Sequence, residues 1–418
     1  MRIRFGPKRI LEISCRVGCH CAVLLQASVQ AAGVIVPTAP SGFSMLPGAP
    51  APDTGSTAGS GEKIFDGFTL STSLSGTYDS NVARSPGPPA APIEDDFILT
   101  LGGRVDYLSK SSEWTFGGGY RGSYNEYFNQ SEYSGYNQGA GVLANYEGGK
   151  VSASITAGVS LDRGSNQNYS SAFVTQTSFT TNLTARYRIS PKTSLQGDMS
   201  QNYTTADESD YSDTQNFAIG GSALWKYSPL TELGPGLRYT HVSGSSQTGR
   251  NSIGPTLTVN YKLSSKVALN SRVGMDFASY EDGGTADPSM SAAIGLNYDA
   301  SKLWGMNFSL YRDTQADPSL AGAFTEVTSL RLGYRRKVRR ATLNLGIGYD
   351  ANRSQRPADG AGGGGDDRDF FTTDGSLGMA VLSNTSFASV FFRYGDQSAS
   401  DTDTWRSFQT GFGISRSF

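Results

Sequence analysis

Residues 405–418, WRSFQTGFGISRSF, form the stretch that decides the fold. Four of its apolar side chains share one parity: Phe408, Phe412, Ile414 and Phe418. The other parity, from Gln409 to Ser415, carries only polar residues and glycine, and this two-residue period predicts a β-strand with one apolar face. A free amphipathic edge invites aggregation, whereas a closed barrel needs such a strand for its last pairing. We therefore expect a transmembrane barrel; the alternative is a terminal strand of a soluble sandwich.

The same four residues resemble the C-terminal signal that the bacterial outer-membrane assembly machinery reads. Arg416 departs from that pattern, since its position usually carries an apolar or aromatic residue. The resemblance implies that the assembly machinery is a partner and that the protein lies in the bacterial outer membrane.

The composition favours a barrel with a polar interior over a soluble protein with a packed core. Only 17% of the 418 residues are charged, 37% are hydrophobic, and glycine occurs 51 times. No apolar run approaches the ~18 residues of a membrane-spanning helix. The net charge of −2 argues against nucleic-acid binding.

The N-terminal part of the chain predicts a leader followed by a linker. Residues 1–32 combine a basic start, a mostly apolar run and a small-residue cleavage site, which is typical of a secretory signal peptide. A short amphipathic helix is the alternative. All three cysteines lie in this segment, so no disulfide is expected after cleavage. Residues 33–66 are rich in Pro, Gly, Ala and Ser, which predicts a flexible periplasmic linker.

Residues 67–418 contain segments of roughly ten to fourteen residues in which apolar side chains alternate with small or polar ones. They predict an all-β fold, a transmembrane antiparallel up-and-down β-barrel of about 18 strands. Short connections, such as Arg335–Arg340, alternate with long loops, of which Asp350–Phe370 is the longest. Since outer-membrane barrels have short periplasmic turns and long extracellular loops, we expect both termini in the periplasm.

Tyrosines recur at the ends of the apolar parity. Amphipathic rings at two levels are typical of the aromatic girdles at both membrane interfaces, although tyrosine is common in any sheet. The predicted girdle residues are Tyr78, Tyr107, Tyr124, Tyr146, Tyr187, Tyr203, Tyr227, Tyr239, Tyr261, Tyr298, Tyr334, Tyr349 and Tyr394.

The polar parity also carries charged side chains, which predicts that it faces a watery lumen. The candidate lumen-lining charges are Arg104, Arg121, Arg186, Arg188, Asp198, Arg238, Arg272, Asp276, Arg331, Arg335, Asp374 and Arg393. One interpretation is that they set the electrostatic field for permeating solutes. The other is that they form salt bridges that fill and stiffen the wall.

No catalytic signature, cofactor site or metal site stands out. His241 is the only histidine outside the predicted leader, and no serine and acid are visibly positioned beside it. We therefore predict that the protein is not an enzyme; an outer-membrane hydrolase centred on His241 is the alternative.

The first strand carries the sequence GTYDSNVAR, Gly76–Arg84, with the motif Tyr78-Asp79-Ser80-Asn81. Together with the leader and the terminal Phe418, it resembles the family Putative beta-barrel porin 2. The resemblance implies a part in polysaccharide export and partners among the export components. We expect a channel for hydrophilic solutes or a secreted polysaccharide; the alternative is a non-conducting scaffold or surface-binding barrel. The oligomeric state stays open.

Overall fold

The computed structural model describes residues 67–84, 92–165, 173–207, 211–245, 249–317, 324–355, 367–381, 385–399 and 404–418. The predicted leader, 1–32, and linker, 33–66, lie outside these residues. Within the described ranges, no helix has the length and apolar character needed to span a membrane.

The described residues form eighteen β-strands and one short 3-10 helix, Ser131–Tyr133. The first nine strands are β1 Phe68–Asp79, β2 Asp96–Lys110, β3 Trp114–Tyr127, β4 Gly135–Glu147, β5 Val151–Ser165, β6 Phe173–Arg188, β7 Thr193–Ala206, β8 Thr214–Lys226 and β9 Thr231–Gly244. The other nine are β10 Arg250–Lys262, β11 Val267–Tyr280, β12 Ser289–Ser301, β13 Trp304–Ala316, β14 Phe324–Val338, β15 Ala341–Gln355, β16 Arg368–Ala380, β17 Ser386–Ala399 and β18 Trp405–Ser417.

Each strand pairs antiparallel with the next one in the chain, and β18 pairs with β1. At this seam Leu74 lies opposite Ile414, and Gly76 lies opposite Phe412. The predicted closure by residues 405–418 is thereby confirmed, and so is the antiparallel barrel of eighteen strands. We call the rim with the short connections the turn side and the opposite rim the loop side.

The two parities of each strand differ in burial as the alternation predicts. In β10, Ile253 and Leu257 are exposed on the outer surface, whereas Ser252, Thr256 and Thr258 are buried on the inner one. The exposed parity carries apolar side chains in strand after strand. The outer surface of the barrel is therefore suited to contact with hydrocarbon, and the inner surface to contact with water.

Several strands extend further than the sequence predicts. The connection predicted at Arg335–Arg340 is wrong, because β14 continues to Val338 and only residues 339–340 connect it to β15. The loop predicted at Asp350–Phe370 is shorter too, since β15 runs to Gln355 and β16 begins at Arg368. Polar residues mark the end of the lipid-facing band, but backbone pairing continues beyond it because hydrogen bonding between strands does not require lipid.

The wall folds inward on one side. Cα atoms of β13 come within 8 Å of β9, although β10, β11 and β12 lie between these two strands in the sheet. Pairing of β8 with β9 is interrupted beside Pro235, and pairing of β10 with β11 is interrupted beside Pro255. Proline has no backbone N–H to donate, so it weakens the ladder where it occurs.

Candidate functional site

The inner surface of the barrel is the candidate functional site, and ion pairs cross it. Among the described residues, strands that are not neighbours in the sheet are joined by four ion pairs: Arg272–Asp198, Arg238–Asp313, Arg238–Asp276 and Arg186–Glu232. The Arg272 guanidinium donates to both carboxylate oxygens of Asp198, at 2.7 Å and 2.6 Å. Such two-point pairing fixes geometry as well as charge.

Arg238 lies at the centre of the narrowed side. It pairs with Asp313 and lies 3.9 Å from Asp276, and the Tyr311 hydroxyl donates to Asp313 at 3.0 Å. β9, β11 and β13 thus meet through their side chains across the lumen. The contact is possible because the wall folds inward at this level.

Other predicted lumen charges pair locally. Arg331 pairs with Asp350 on the neighbouring strand, and Arg104 pairs with Asp106 on its own strand at 2.6 Å. Arg335 lies 4.0 Å from Asp299 near the turn side, where both side chains are more than half exposed. Exposed pairs of this kind contribute ~0–1 kcal/mol.

Four predicted charges form no ion pair among the described residues. Arg121 and Arg188 are exposed, and Arg393 lies opposite Asp374 in the pairing of β16 with β17 without an ion pair between them. Most candidate charges thus form ion pairs among the described residues, and their effect on permeating solutes stays a prediction.

The sequence analysis missed the acidic partners Glu232 and Asp299. Both lie on the lumen-facing parity of their strands, so the alternation alone could have identified them. Their pairing with specific arginines could not be predicted, because it depends on the inward fold and on strand register.

A second cluster closes the seam on the loop side. The Arg84 guanidinium donates to both carboxylate oxygens of Asp79 at 2.9 Å, and to the Ser407 hydroxyl at 2.8 Å. Asp79 also accepts from Ser407 at 2.8 Å and from the Gln409 amide at 2.7 Å. Asp79 is the last residue of β1, and Arg84 lies shortly after it. Because Ser407 and Gln409 belong to β18, the cluster joins the first strand to the last.

Trp405 completes this seam cluster. Its indole lies 5.4 Å below the Arg84 guanidinium, packs against Phe370 and donates to Gln397 at 2.7 Å. The motif Tyr78-Asp79-Ser80-Asn81 therefore lies in a buried network. Asn81 contributes by donating to the Arg406 carbonyl at 3.1 Å.

Apolar clusters line the loop-side mouth. One consists of Val242, Tyr280, Ala316 and Phe324, from β9, β11, β13 and β14. Pairing of β12 with β13 ends at Arg312, and beyond it Ala316 of β13 and Phe324 of β14 pack onto Val242 of β9 and Tyr280 of β11.

The other mouth cluster consists of Val82, Ile98 and Tyr127, with Tyr133 and Phe173 packed against it. The rings of Tyr133 and Phe173 stack at 4.2 Å between centroids. Burial, followed by the charges of Glu94 and Glu132, raises the pKa of Tyr133 in this loop. Both clusters narrow the entrance from the loop side.

The predicted girdle tyrosines lie on the outward parity of their strands. Tyr227 is exposed beyond β8, and Tyr78, Tyr203, Tyr239 and Tyr349 have exposed rings near the loop side. Their role as membrane girdles stays a prediction.

The last strand places Phe408, Phe412 and Ile414 outward and exposed. Arg416, which departs from the assembly pattern, lies outward near the turn side, with its guanidinium 4.9 Å from the Phe418 ring. This cation–π contact gives the charge a partner at the edge of the apolar band. Recognition of this strand by the assembly machinery stays a prediction.

His241 faces outward at the loop side of β9. Its Nδ1 lies 3.0 Å from Asn251 Oδ1, which also accepts a hydrogen bond from Tyr239 at 2.6 Å. Among the described residues, no hydrogen bond joins His241 to a serine or an acid, and no cluster of His, Cys, Asp or Glu could hold a metal ion.

Comparison with known proteins links the chain to porins. Residues 163–340 match the model of the family Putative beta-barrel porin 2. The matched range includes the narrowed side of the barrel but not the seam motif. No curated protein matches.

Among solved structures, the outer membrane protein opdK from Pseudomonas aeruginosa is 12% identical, with 85% of this chain and 100% of that chain covered and a TM-score of 0.43. OccAB3 from Acinetobacter baumannii is also 12% identical over the same shares, with a TM-score of 0.41. OccK9 (OpdG) from Pseudomonas aeruginosa is 10% identical, again over 85% and 100%, with a TM-score of 0.44.

With its closed wall, polar interior and apolar outer face, the chain is a porin-like β-barrel, and residues 163–340 match a porin family model.

Proposed function

We propose that this barrel is a narrow channel for small hydrophilic solutes. The observation that carries the proposal is the set of ion pairs across the lumen, from β6 to β9, β7 to β11 and β9 to β13. They line a polar passage and at the same time restrict its width.

The distance between β9 and β13 across the lumen is much smaller than it would be in a round barrel. Strands lie ~4.8 Å apart, so four steps along the wall separate two strands by roughly 19 Å along the arc. Cα atoms of β9 and β13 approach within 8 Å instead. Solutes therefore pass on the other side of the lumen, where Arg121 and Arg393 have no ion-pair partner among the described residues.

Polysaccharide export is the second candidate, and it rests on the resemblance to the porin family rather than on the geometry. A polymer needs a wider passage than the narrowed lumen offers. A non-conducting scaffold is the third, and the buried clusters at the loop-side mouth favour it.

Recordings in planar bilayers test these candidates. We expect small discrete conductance steps for the unaltered protein, and larger steps for the double variant Arg238→Gln/Asp313→Asn, which removes the central ion pair. The control is Arg406→Gln/Asp396→Asn, which removes an exposed pair on the outer face and should leave conductance unchanged.

The outcomes separate the three candidates. Absence of conductance in both the unaltered protein and the double variant would contradict the channel and favour the scaffold. Neutral oligosaccharides of increasing length should block the current only when short. Passage of long chains would favour polysaccharide export instead.

A further inference from the structure

The turn-side rim of the barrel carries an arc of exposed basic side chains, at the turn-side ends of β5, β6, β7, β8, β10 and β11. We call it the basic arc, and its members are Lys150, Arg188, Lys192, Lys226, Lys262 and Lys266. Backbone hydrogen bonds place neighbouring members side by side. The Arg188 N–H donates to the Lys150 carbonyl at 2.8 Å, and the Lys226 N–H donates to the Lys192 carbonyl at 2.7 Å.

The basic arc faces the mouth of the lumen rather than the lipid. Arg188, Lys226 and Lys262 are the last residues of β6, β8 and β10. The residue before each of them is an aromatic on the outward parity: Tyr187, Trp225 and Tyr261. Because successive side chains of a strand point to opposite faces, the three basic residues point inward. The other three members directly precede the outward-facing first residues of β5, β7 and β11, so they share the inward parity.

Exposed carboxylates lie at both ends of the basic arc but not within it. At one end Glu147 shares a turn with Lys150, and the Glu147 N–H donates to the Glu113 carbonyl at 2.8 Å. At the other end the Asp299 N–H donates to the Lys266 carbonyl at 2.7 Å. From β6 to β10, the described residues of this rim include no exposed acid. The middle of the arc therefore carries positive charge without compensation.

The lumen wall next to the basic arc is electrically balanced. Arg186 pairs with Glu232, and Arg272 pairs with Asp198, so these charges largely cancel. Neighbouring strands lie ~4.8 Å apart, which is less than the Debye length of ~8 Å at physiological ionic strength. The fields of adjoining basic side chains consequently overlap, and the turn-side mouth presents a concentrated positive potential.

The loop-side rim carries charge of the opposite sign. Glu281, Asp282 and Asp287 are all exposed in the connection between β11 and β12. Basic charge at this rim is compensated where Arg353 pairs with Asp369 at 2.7 Å. The net charge of −2 for the whole chain therefore conceals a separation of charge along the barrel axis. An anion is attracted to the turn-side mouth and repelled at the loop side.

We propose that the basic arc captures small solutes with two or more negative charges, carried by phosphate or carboxylate groups, at the turn-side mouth. Lysine is a compact point charge without the fixed fork of arginine, so an arc composed mainly of lysine selects for charge rather than for shape. The inference rests on the proposed channel and names the charge of its solutes. Capture itself does not require conduction.

Isothermal titration calorimetry of the refolded full chain in neutral detergent tests capture, with inorganic tripolyphosphate and citrate as probes. Arg188→Gln/Lys226→Gln/Lys262→Gln removes half of the basic arc and should weaken binding of both probes at least about tenfold. The control Lys302→Gln/Arg336→Gln/Arg416→Gln removes three exposed charges of the outward parity from the same rim. It should keep both affinities.

The two triple variants remove the same number of charges, so they separate a lumen-facing site from general attraction to a basic rim. Equal losses in both variants would overturn the proposal. So would undiminished binding in the arc variant, or binding of neither probe by the unaltered protein.

Reversal potentials in planar bilayers under a potassium chloride gradient connect capture to passage. We expect the unaltered channel to prefer chloride over potassium at least about threefold at about 0.1 M salt, and to lose the preference at about 1 M, where the Debye length is only ~3 Å. The arc variant should lose it at both concentrations, and a preference for potassium would contradict a role of the arc in passage. Absence of conductance would contradict the proposed channel, whereas the calorimetric result would still decide whether the arc captures anions.

Discussion

The seam cluster shows how a few residues hold the barrel closed. Asp79 and Arg84 are almost completely buried, and each satisfies the other's charge. Arg84 adopts a left-handed backbone conformation with φ of 54°, which costs a non-glycine residue ~1 kcal/mol. The bonds to Asp79 and Ser407 offset this cost, so we infer that the motif of β1 serves closure rather than solute binding.

Substitution of Asp79 tests this role. Asp79→Asn leaves the Arg84 guanidinium buried without its counter-charge, and we expect a loss of about 3–5 kcal/mol in the free energy of unfolding. The urea midpoint of the barrel in lipid vesicles measures it. Asp79→Asn/Arg84→Gln should recover part of the loss, because no charge is then left unpaired.

The exposed pair Arg406–Asp396 lies beside the same seam and provides the control. Arg406→Gln should change the free energy of unfolding by less than ~1 kcal/mol, since exposed pairs contribute little. Equal losses for Asp79→Asn and Arg406→Gln would show that the seam cluster does not stabilise closure.

At the scale of elements, β9 and β10 cause the departure from a regular barrel. Each carries a proline at mid-strand, Pro235 and Pro255, with glycines beside it. The prolines interrupt one ladder each, and the glycines allow neighbouring backbones to approach. These strands consequently bend toward β13 and bring Arg238 to Asp313.

Glycine substitutions test whether this close approach is required. Gly234→Ala should lower the free energy of unfolding by about 1–3 kcal/mol, because the new methyl group collides with the Ala223 carbonyl. Gly295→Ala in β12 meets nothing within 4 Å, so its effect should stay within ~1 kcal/mol. Urea titration of both variants compares them, and similar midpoints would contradict the close approach at Gly234.

The loop-side ends of β13 and β14 close part of the mouth through Ala316 and Phe324. Phe324→Ala removes a ring that is 1% exposed and packs against Tyr280, so we expect the mouth cluster to loosen and conductance to increase. Phe371→Ala removes an outward ring of β16 and should leave conductance unchanged. A rise in both variants, or in neither, would show that the mouth cluster does not limit passage.

At the scale of the whole molecule, the barrel separates two solvents. Leu345 and Asn344 are consecutive residues of β15, yet Leu345 faces outward and the Asn344 side chain donates inward to Ser376 at 3.2 Å. Consecutive positions on one strand therefore report on lipid and on the lumen separately.

Arginine at these two positions should have very different effects. Leu345→Arg places a charge in hydrocarbon and should cost about 2–4 kcal/mol in the free energy of folding into lipid vesicles. Asn344→Arg places it in the polar lumen and should cost much less, apart from one lost hydrogen bond. Equal costs would contradict the assignment of the two faces.

The sequence by itself determined the strands, their number, their two faces and the closure by residues 405–418, because a period of two directly encodes which side chains meet lipid. It also placed arginines, among them Arg238 and Arg272, on the polar parity of their strands. Only the tertiary structure decided that β13 meets β9, that Arg238 pairs with Asp313, and that Arg84 joins β1 to β18. Those contacts depend on register and on the curvature of the closed wall, which arise from pairings between distant segments and leave no periodic trace in the sequence.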